Sequence, residues 1–162
     1  MNQTAKLRVA LFFGGVSSEH EVSCVSASTW LRALAQHPCA DQYEVFPVGI
    51  TKQGRWLACH PTPEAMADGS WEQGGCTPCV LSPDRADHGI WLLKDGKAEL
   101  VRIDICAPVM HGKNGEDGTI QGLFELAGLP YVGCGVLSSA VCMDKAVANT
   151  LLDAAGVPRC EW

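Results

Sequence analysis

The chain has 162 residues, of which 47% are hydrophobic and 19% are charged, and its formal net charge is −6 at pH 7. This composition is typical of a folded domain and argues against disorder. The negative charge, without any run of Lys or Arg, argues against nucleic-acid binding. No apolar stretch approaches the roughly 18–20 residues of a membrane span, and the N-terminus lacks signal-peptide features. We therefore expect a soluble, cytoplasmic protein without nucleic-acid or membrane partners.

Nine cysteines are scattered along the chain rather than arranged in a short-spaced framework. The spacing Cys76-Thr-Pro-Cys79 resembles half of a zinc site, but such a site needs a second pair or nearby histidines. Several other cysteines fall inside apolar runs, where a thiol behaves as a small hydrophobic group. We therefore expect reduced, mostly buried thiols and no metal site.

The first half of the chain alternates short apolar runs with one helical pattern. Residues 6–13 and 43–50 are apolar runs bounded by turn residues and predict buried strands, and residues 19–36 show helical spacing. Residues 60–87 are rich in Pro, Gly, Ser and Asp and predict a long surface excursion without a sustained period. A β-hairpin is expected after it, with strands at 90–93 and 98–103.

The second half repeats the strand-then-helix order. We predict a strand at 105–110, a glycine-rich loop at 111–118, a helix at 117–127 that Gly128 ends, a brief strand at 131–132, and a last helix at 144–155. Strands that alternate with helices predict an α/β fold with a parallel sheet and helices on both faces. Ligands of such sheets bind beyond the carboxyl ends of the strands, so residues 14–21 and 111–118 are expected on one functional rim.

The opening loop (residues 14–21, GGVSSEHE) is crowded with side chains that bind or transfer protons. Ser18 and Glu21 have the spacing of a capping box, in which each side chain bonds the other residue's backbone N–H. Glu19 has no part in this capping box. Its carboxylate is either slightly stabilised by the helix dipole or binds a cation such as an ammonium. We interpret His20 as a solvated helix residue.

Two further stretches carry candidate functional residues. The HG loop (residues 111–118, HGKNGEDG) surrounds His111 with glycines, which allow a ligand to approach the backbone closely. Asp117 could serve as the N-cap of the following helix, which explains Asp117 and Gly118 but not the density of glycines. Lys145 lies in the first turn of the last predicted helix, where a cation opposes the dipole. This indicates an anionic partner such as phosphate, and a common solvated surface lysine is the alternative.

Three stretches together, GGVSSEHEVS, MHGKNGEDGTIQGLFELAGLPYVGCG and VLSSAVCMDK, closely resemble the N-terminal region of D-alanine–D-alanine ligases of the ATP-grasp superfamily. The resemblance runs from about residue 8 to residue 158. It implies a three-layer, Rossmann-like pre-ATP-grasp domain with a parallel sheet and a β-hairpin excursion, followed by the first helices of a truncated ATP-grasp domain. We place the substrate-binding domain at residues 1–133 and the start of the central domain at 134–162.

The resemblance also implies roles for individual residues. Glu19 holds the ammonium of the first D-alanine, Val22 lies close to that amino acid, His111 lies by the reacting groups, and Lys145 contacts the phosphates of ATP. In this family ATP phosphorylates the first D-alanine, and the amine of the second substrate attacks the acyl phosphate. The Mg²⁺ that accompanies ATP takes its ligands outside this chain, and the N-terminal domain contributes to a homodimer.

Alternatives remain open at this stage. HGKNGEDG and the GCG after PYV resemble slightly more the resistance-type ligases that join D-alanine to D-serine or D-lactate, but the family's second-substrate residues lie beyond Trp162. Because the sequence stops there, before the family's other lobes, we expect this chain alone to be an incomplete, inactive fragment; a natural truncation is the other possibility. A different class is a non-catalytic binding or dimerisation module with the same fold.

Overall fold

The computed structural model describes residues 5–161, which form a seven-stranded sheet with helices on both faces. The strands are β1 (Leu7–Gly14), β2 (Tyr43–Ile50), β3 (Trp56–Ala58), β4 (Thr77–Leu81), β5 (Gly89–Lys94), β6 (Lys97–Arg102) and β7 (Ile105–Pro108). The α-helices are α1 (His20–Gln36), α2 (Pro63–Ala67), α3 (Thr119–Ala127), α4 (Val136–Met143) and α5 (Lys145–Ala154), with 3₁₀ segments at Ala40–Gln42 and Ser70–Gln73. Within residues 5–161, no helix is both long and apolar enough to cross a membrane.

The strand β1 lies in the parallel part of the sheet, between β2 and β7. It pairs with β2 along its whole length, from Leu7 opposite Tyr43 to Gly14 opposite Ile50, and it pairs with β7 on its other edge. A strand covered on both faces is expected to be apolar at consecutive positions, and residues 9–14 are all buried. The continuous apolar run in the sequence therefore has a direct structural cause.

The predicted parallel sheet holds for three strands, and the remaining four extend it in the antiparallel sense. The spatial order is β6-β5-β4-β3-β2-β1-β7, with antiparallel pairing from β2 through β6. The predicted hairpin is confirmed as β5 and β6, which are joined by Asp95 and Gly96 at φ values of 51° and 72°. Positive φ at both central residues is the conformation that two-residue hairpins favour. The four strands β3–β6 are called the antiparallel extension below.

Successive residues of β1 pack against different helix layers. Leu11 and Phe13 belong to the core cluster that includes Cys24 and Ala27 of α1. Phe12 belongs to the opposite cluster, where its ring centroid lies 5.2 Å from that of Phe124 in α3. This alternation follows from the two-residue period of a strand, and it confirms the three-layer arrangement.

Residues 60–87 are more ordered than their composition predicts. The segment contains α2, the 3₁₀ segment Ser70–Gln73 and β4, none longer than five residues, so no helical or strand period could emerge from the sequence. Trp71 of this segment is only 1% exposed, and its ring centroid lies 4.9 Å from that of Phe13. A Cβ atom at Gly49 would come within 2.3 Å of the Trp71 ring, so a glycine in β2 makes room for this side chain. The predicted surface excursion is thus part of the core.

The cysteines also differ from expectation, because Cys59 and Cys76 form a disulfide. Their pairing overturns the prediction that the thiols are all reduced, and Cys76 is therefore not a partner of Cys79 in a metal or redox pair. Cys79 is a buried residue of β4 whose burial raises its thiol pKa to about 11. Burial likewise raises the pKa of Cys24 to about 11 and that of Cys106 to about 12, so these three thiols stay protonated.

The helix boundaries follow the sequence signals in most places. α3 ends at Gly128, whose φ of 68° is the left-handed value expected after a helix, and Tyr131 forms a short parallel bridge with Cys106. The last predicted helix is confirmed as α5, but α4 before it was not predicted. Asp144 separates the two helices, because its side chain accepts from the N–H groups of residues 146 and 147 and so caps α5.

Candidate functional site

The carboxyl ends of β1, β2 and β7 meet at one rim, as the sequence predicted. The chain leaves β1 through Gly14, at a φ of 82°, where a Cβ atom would lie 2.3 Å from the carbonyl oxygen of Ile50. The next residue, Gly15, donates its N–H to the same oxygen at 2.8 Å. Only glycine fits so close an approach of two strand ends, so the glycine pair turns the chain tightly over the rim into the opening loop.

The capping box predicted from Ser18 and Glu21 is wrong. Glu19 is the N-cap residue of α1, and the side chain that bonds a backbone N–H here is Ser17, whose Oγ accepts from Glu19 N at 3.1 Å. Glu21 instead pairs with Lys52, and the hydrogen bond from that ammonium lowers the pKa of the Glu21 carboxyl. Both side chains are exposed. The Glu21 carboxylate, which the sequence pattern assigned to helix capping, therefore pairs with Lys52 of a neighbouring loop.

The Glu19 carboxylate lies against the HG loop. A Cβ atom built on Gly112 would be 2.9 Å from Glu19 Oε1 and 2.8 Å from Ser17 Oγ, and Gly112 has a φ of 66°. A side chain at this position would thus displace the carboxylate. Glu19, Gly112 and Lys113 line one cleft of about 530 Å³, together with Lys52 and Met143. The structure therefore brings the two predicted functional loops together around Glu19.

His111 has a polar side chain near each ring nitrogen. Its Nε2 lies 3.0 Å from the hydroxyl of Ser26 in α1, and its Nδ1 lies 3.4 Å from Glu116 Oε1. The other oxygen of Glu116 accepts from the backbone N–H of Gly112 at 2.9 Å. His111 is half-buried and lines a second cleft, of about 500 Å³, that also reaches Met143. The imidazole is thus fixed between α1 and its own loop.

The HG loop is held by its own polar residues. Asp117 accepts from the N–H of Asn114 at 2.8 Å and from that of Thr119 at 3.0 Å. Partial burial would raise the pKa of Asp117, but these N–H groups and the Thr119 hydroxyl outweigh it, and the pKa lies below its usual value. The N-cap position of α3 is Gly118, one residue later than predicted. Asp117 therefore stabilises both the loop and the first turn of the helix.

Sequence reasoning misjudged two side chains beneath the rim. His20 is 4% exposed rather than solvated, and its Nδ1 lies 2.9 Å from the carbonyl oxygen of Gly15, so it donates there. Ser23, fully buried in α1, accepts from Gly14 N at 2.8 Å and donates to the carbonyl of Val109 at 2.5 Å. Ser23 was not singled out from the sequence. A serine on the apolar face of a predicted helix is the one weak sequence signal for such a buried hydrogen bond. These two residues tie α1 to the ends of β1 and β7.

The remaining predicted site residues are less enclosed. Val22 is 50% exposed on α1 and follows Glu19 by three residues, which places the two on the same side of the helix. Lys145 is the exposed first residue of α5. Asp144 already accepts from the N–H groups after Lys145, so the ammonium of this residue, and not the helix terminus, is the group available to an anion. The structure therefore joins Glu19, Val22 and His111 around α1 and places Lys145 on a separate helix.

The structure is an α/β domain with polar loops after its parallel strands, the place where ligands bind to sheets of this kind. A model of the family described as D-ala D-ala ligase N-terminus matches residues 8–134. The chain belongs to this family.

Individual relatives agree with this assignment. A D-alanine--D-alanine ligase of Caldicellulosiruptor bescii is 51% identical over 154 residues, covering 95% of this chain and 41% of the relative. The vancomycin B-type resistance protein VanB of Enterococcus faecalis is 46% identical, covering 94% of this chain and 42% of that protein. The solved structure of the VanG D-Ala:D-Ser ligase of Enterococcus faecalis superposes with a TM-score of 0.84 at 39% identity, covering 93% of this chain and 42% of that one. The chain thus spans about two fifths of the length of these relatives.

Proposed function

We propose that this chain forms the first-substrate region of an ATP-dependent D-alanine–D-alanine ligase. One observation supports the proposal most strongly: the Glu19 carboxylate lies against Gly112 of the loop that carries His111, in one cleft. Membership of the ligase family supplies the reaction class. The full reaction joins two D-alanines through a D-alanyl phosphate and serves peptidoglycan synthesis.

In this proposal Glu19 and Val22 bind the first D-alanine. Glu19 accepts its ammonium, and Val22, on the same side of α1, offers apolar surface to its methyl group. Fixing the ammonium orients the carboxylate that must be phosphorylated, and orientation of this kind lowers the barrier by placing the reacting atoms close together. His111 is placed next to the reacting groups, one loop residue from Gly112.

Lys145 fits the phosphates of ATP, because it is an exposed cation on a helix whose first N–H groups are already bonded. Bound ATP supplies the phosphoryl group that activates the first carboxylate. The described residues do not offer a comparable site for Mg²⁺: among residues 5–161 there is no group of three or more side chains able to hold a metal ion. We place the Mg²⁺ ligands outside this chain, and Lys145 then neutralises part of the phosphate charge.

We propose that residues 1–133 form the substrate-binding domain and that 134–162 begin a second, central domain. Burial supports this division, because α5 has no buried residue and α4 has only Ser139. Large apolar side chains on these two helices are exposed, including Leu137 at 76% and Leu151 at 51%. Exposed apolar surface of this extent is expected to pack against further protein.

We also propose a cytoplasmic homodimer, with D-alanine as the second substrate. The sequence resemblance implies a homodimer, because the N-terminal domains of this family commonly contribute to a dimer interface. The half-exposed Val25 on α1 is a candidate interface residue. D-Serine or D-lactate is the alternative second substrate, because relatives named for each of the three second substrates match this chain with identities of 51%, 47% and 39%. A non-catalytic binding module is the alternative of another class.

The test uses the full-length protein that carries this chain and measures ATP-dependent phosphate release with D-alanine. Removing the charge of Glu19 with Glu19→Gln should lower kcat/KM for D-alanine by about 100-fold, since an enclosed charge pair is worth about 2–5 kcal/mol. Glu21→Gln is the matched control: it alters a carboxylate of the same loop that is paired with Lys52, and it should leave kcat/KM unchanged. Lys145→Ala should raise the KM for ATP by about tenfold.

Equal rates for Glu19→Gln and Glu21→Gln would show that Glu19 does not hold the substrate. If the wild-type protein released no phosphate with ATP and D-alanine, supplied alone or together with D-serine or D-lactate, the non-catalytic module would be the correct function.

A further inference from the structure

Ser26 occupies a position that neither the sequence motifs nor the family match assigned to the site. It follows Glu19 by seven residues and Val22 by four, so all three lie along one side of α1. Its side chain is half-buried, and its hydroxyl lies 3.0 Å from His111 Nε2. The side of the helix that presents Glu19 and Val22 therefore also reaches the imidazole.

The opposite ring nitrogen of His111 faces a carboxylate. Glu116 Oε1 lies 3.4 Å from Nδ1, while Glu116 Oε2 is occupied by the N–H of Gly112 at 2.9 Å. The Glu116 side chain is therefore fixed by the loop backbone. Ser26, His111 and Glu116 form a hydroxyl–imidazole–carboxylate series across the rim.

We propose that Ser26 and Glu116 are positioning residues that hold His111 in one orientation and one tautomer, with the proton on Nδ1 and the lone pair on Nε2. An ionised carboxylate can only accept, so Glu116 Oε1, 3.4 Å from Nδ1, favours the proton on that nitrogen. A serine hydroxyl can donate or accept, and opposite an unprotonated Nε2 it donates. Glu116 therefore selects the tautomer, and Ser26 holds the ring in its orientation.

This tautomer gives His111 a chemical role, and the role rests on the proposed function. The amine of the second substrate is an ammonium at neutral pH, and it can attack an acyl phosphate only after it loses a proton. The Ser26 hydroxyl first rotates its hydrogen away from Nε2, which frees the lone pair. His111 Nε2 then accepts the substrate proton: the substrate N–H bond breaks, an Nε2–H bond forms, and the electron pair stays on the substrate nitrogen. The Ser26 oxygen now accepts from Nε2–H, and Glu116 stabilises the imidazolium charge.

The tautomer can be measured directly on this chain with ¹⁵N-labelled histidine, from the ¹⁵N shifts of the two ring nitrogens of neutral His111. The wild type should show mainly the Nδ1–H form. Glu116→Gln should shift the ratio of the two tautomers toward Nε2–H by about fivefold, because an amide can donate or accept and no longer selects one form. Ser26→Ala, which removes a partner that can serve either form, should shift the ratio less, and Ser26→Thr should leave it at the wild-type value. His20 is an internal reference, because its Nδ1 donates to the Gly15 carbonyl in every variant.

Kinetics of the full-length ligase supply the second readout. Ser26→Ala should lower kcat about fivefold while the KM for the first D-alanine, which Glu19 holds, stays constant, and Ser26→Thr should recover most of the loss. A wild-type His111 in the Nε2–H form, or a ratio that neither Ser26→Ala nor Glu116→Gln moves, would overturn the proposed arrangement. A tautomer shift without any change in kcat would overturn the positioning role and leave the ligase function intact. Absence of D-alanine-dependent turnover in the wild type would contradict the proposed function itself, whatever the tautomer.

Discussion

The loops that follow β1 and β7 hold polar side chains around clefts, whereas the segment between β3 and β4 contributes buried apolar side chains, such as Met66 and Trp71, to the core. Glu19 and His111 belong to the first region, and each remains partly accessible. Trp71 and the Cys59–Cys76 disulfide belong to the second, where Trp71 is packed on Phe13. The difference points to two tasks: the segment and the extension stabilise the sheet from which the rim loops start, and in our proposal the rim loops carry the chemistry.

If this separation holds, the largest loss of stability should come from the segment between β3 and β4. Trp71→Ala removes a fully buried ring and should lower the free energy of unfolding by about 3–5 kcal/mol, measured by urea denaturation. Leu93→Ala is the control on β5, because Leu93 is 47% exposed and its truncation should change the free energy by about 0.5 kcal/mol or less. A loss below about 1 kcal/mol for Trp71→Ala would mean that the segment is not part of the core.

The disulfide should contribute the next largest amount. Cys59 and Cys76 are separated by 17 residues in sequence, and closing a loop of this size stabilises a folded protein by about 2–4 kcal/mol. Replacing both with alanine, or adding a reductant, should lower the urea midpoint accordingly. Cys39→Ala, which removes a free and half-buried thiol, should leave the midpoint unchanged. Identical midpoints with and without reductant would argue that the bond does not stabilise this region.

A smaller effect, with a defined pH dependence, is expected on the rim. The pKa of Asp117 is lower in the folded state, so its ionised form stabilises the fold above its usual pKa of 3.8, and this contribution is lost as the pH falls through the folded-state value. Asp117→Asn should therefore be less stable than wild type by about 1 kcal/mol at pH 7. The two proteins should converge in urea titrations once the pH falls below the folded-state pKa of Asp117. A difference that grows toward acid pH would contradict the assigned hydrogen bonds.

The smallest effect should come from the exposed pair of Glu21 and Lys52. Both side chains are more than half exposed, and ion pairs of this kind contribute little to stability. Glu21→Gln should not change the urea midpoint measurably at physiological salt. A clear loss would show that this contact, and with it the opening loop, has a stabilising role like that of the extension.

Much of the fold could be predicted because its signals are local and periodic. The runs that became β1 and β2, the spacing of α1 and the Asp-Gly turn of the hairpin each lie within a few residues of one another. The segment at residues 60–87 could not be predicted, because α2 is five residues long and the burial of Trp71 depends on Gly49, far away in sequence. The helix α4 was missed although α5 directly after it was found.

The candidate site likewise has features that the sequence predicted and features that it could not predict. The sequence pointed to Glu19 and His111 and to a shared rim, but it could not show that Lys52 takes Glu21 away from the predicted capping box. Nor could it show Ser26 beside His111, because 85 residues separate them. Contacts between distant loops are set by the pairing of β1 with β2 and β7, and no local pattern reports them.

The Ser23 hydroxyl, which joins the ends of β1 and β7, has a consequence for binding. It uses its acceptor on one strand and its donor on the other, so both rim loops start from anchored backbone. The conformational entropy of placing these strand ends is lost when the chain folds rather than when a ligand arrives, and preorganisation of this kind strengthens binding. The proposed ligand, a small amino acid, offers few contacts. In a site that is ordered before the ligand binds, more of the free energy of those contacts goes into binding the ligand.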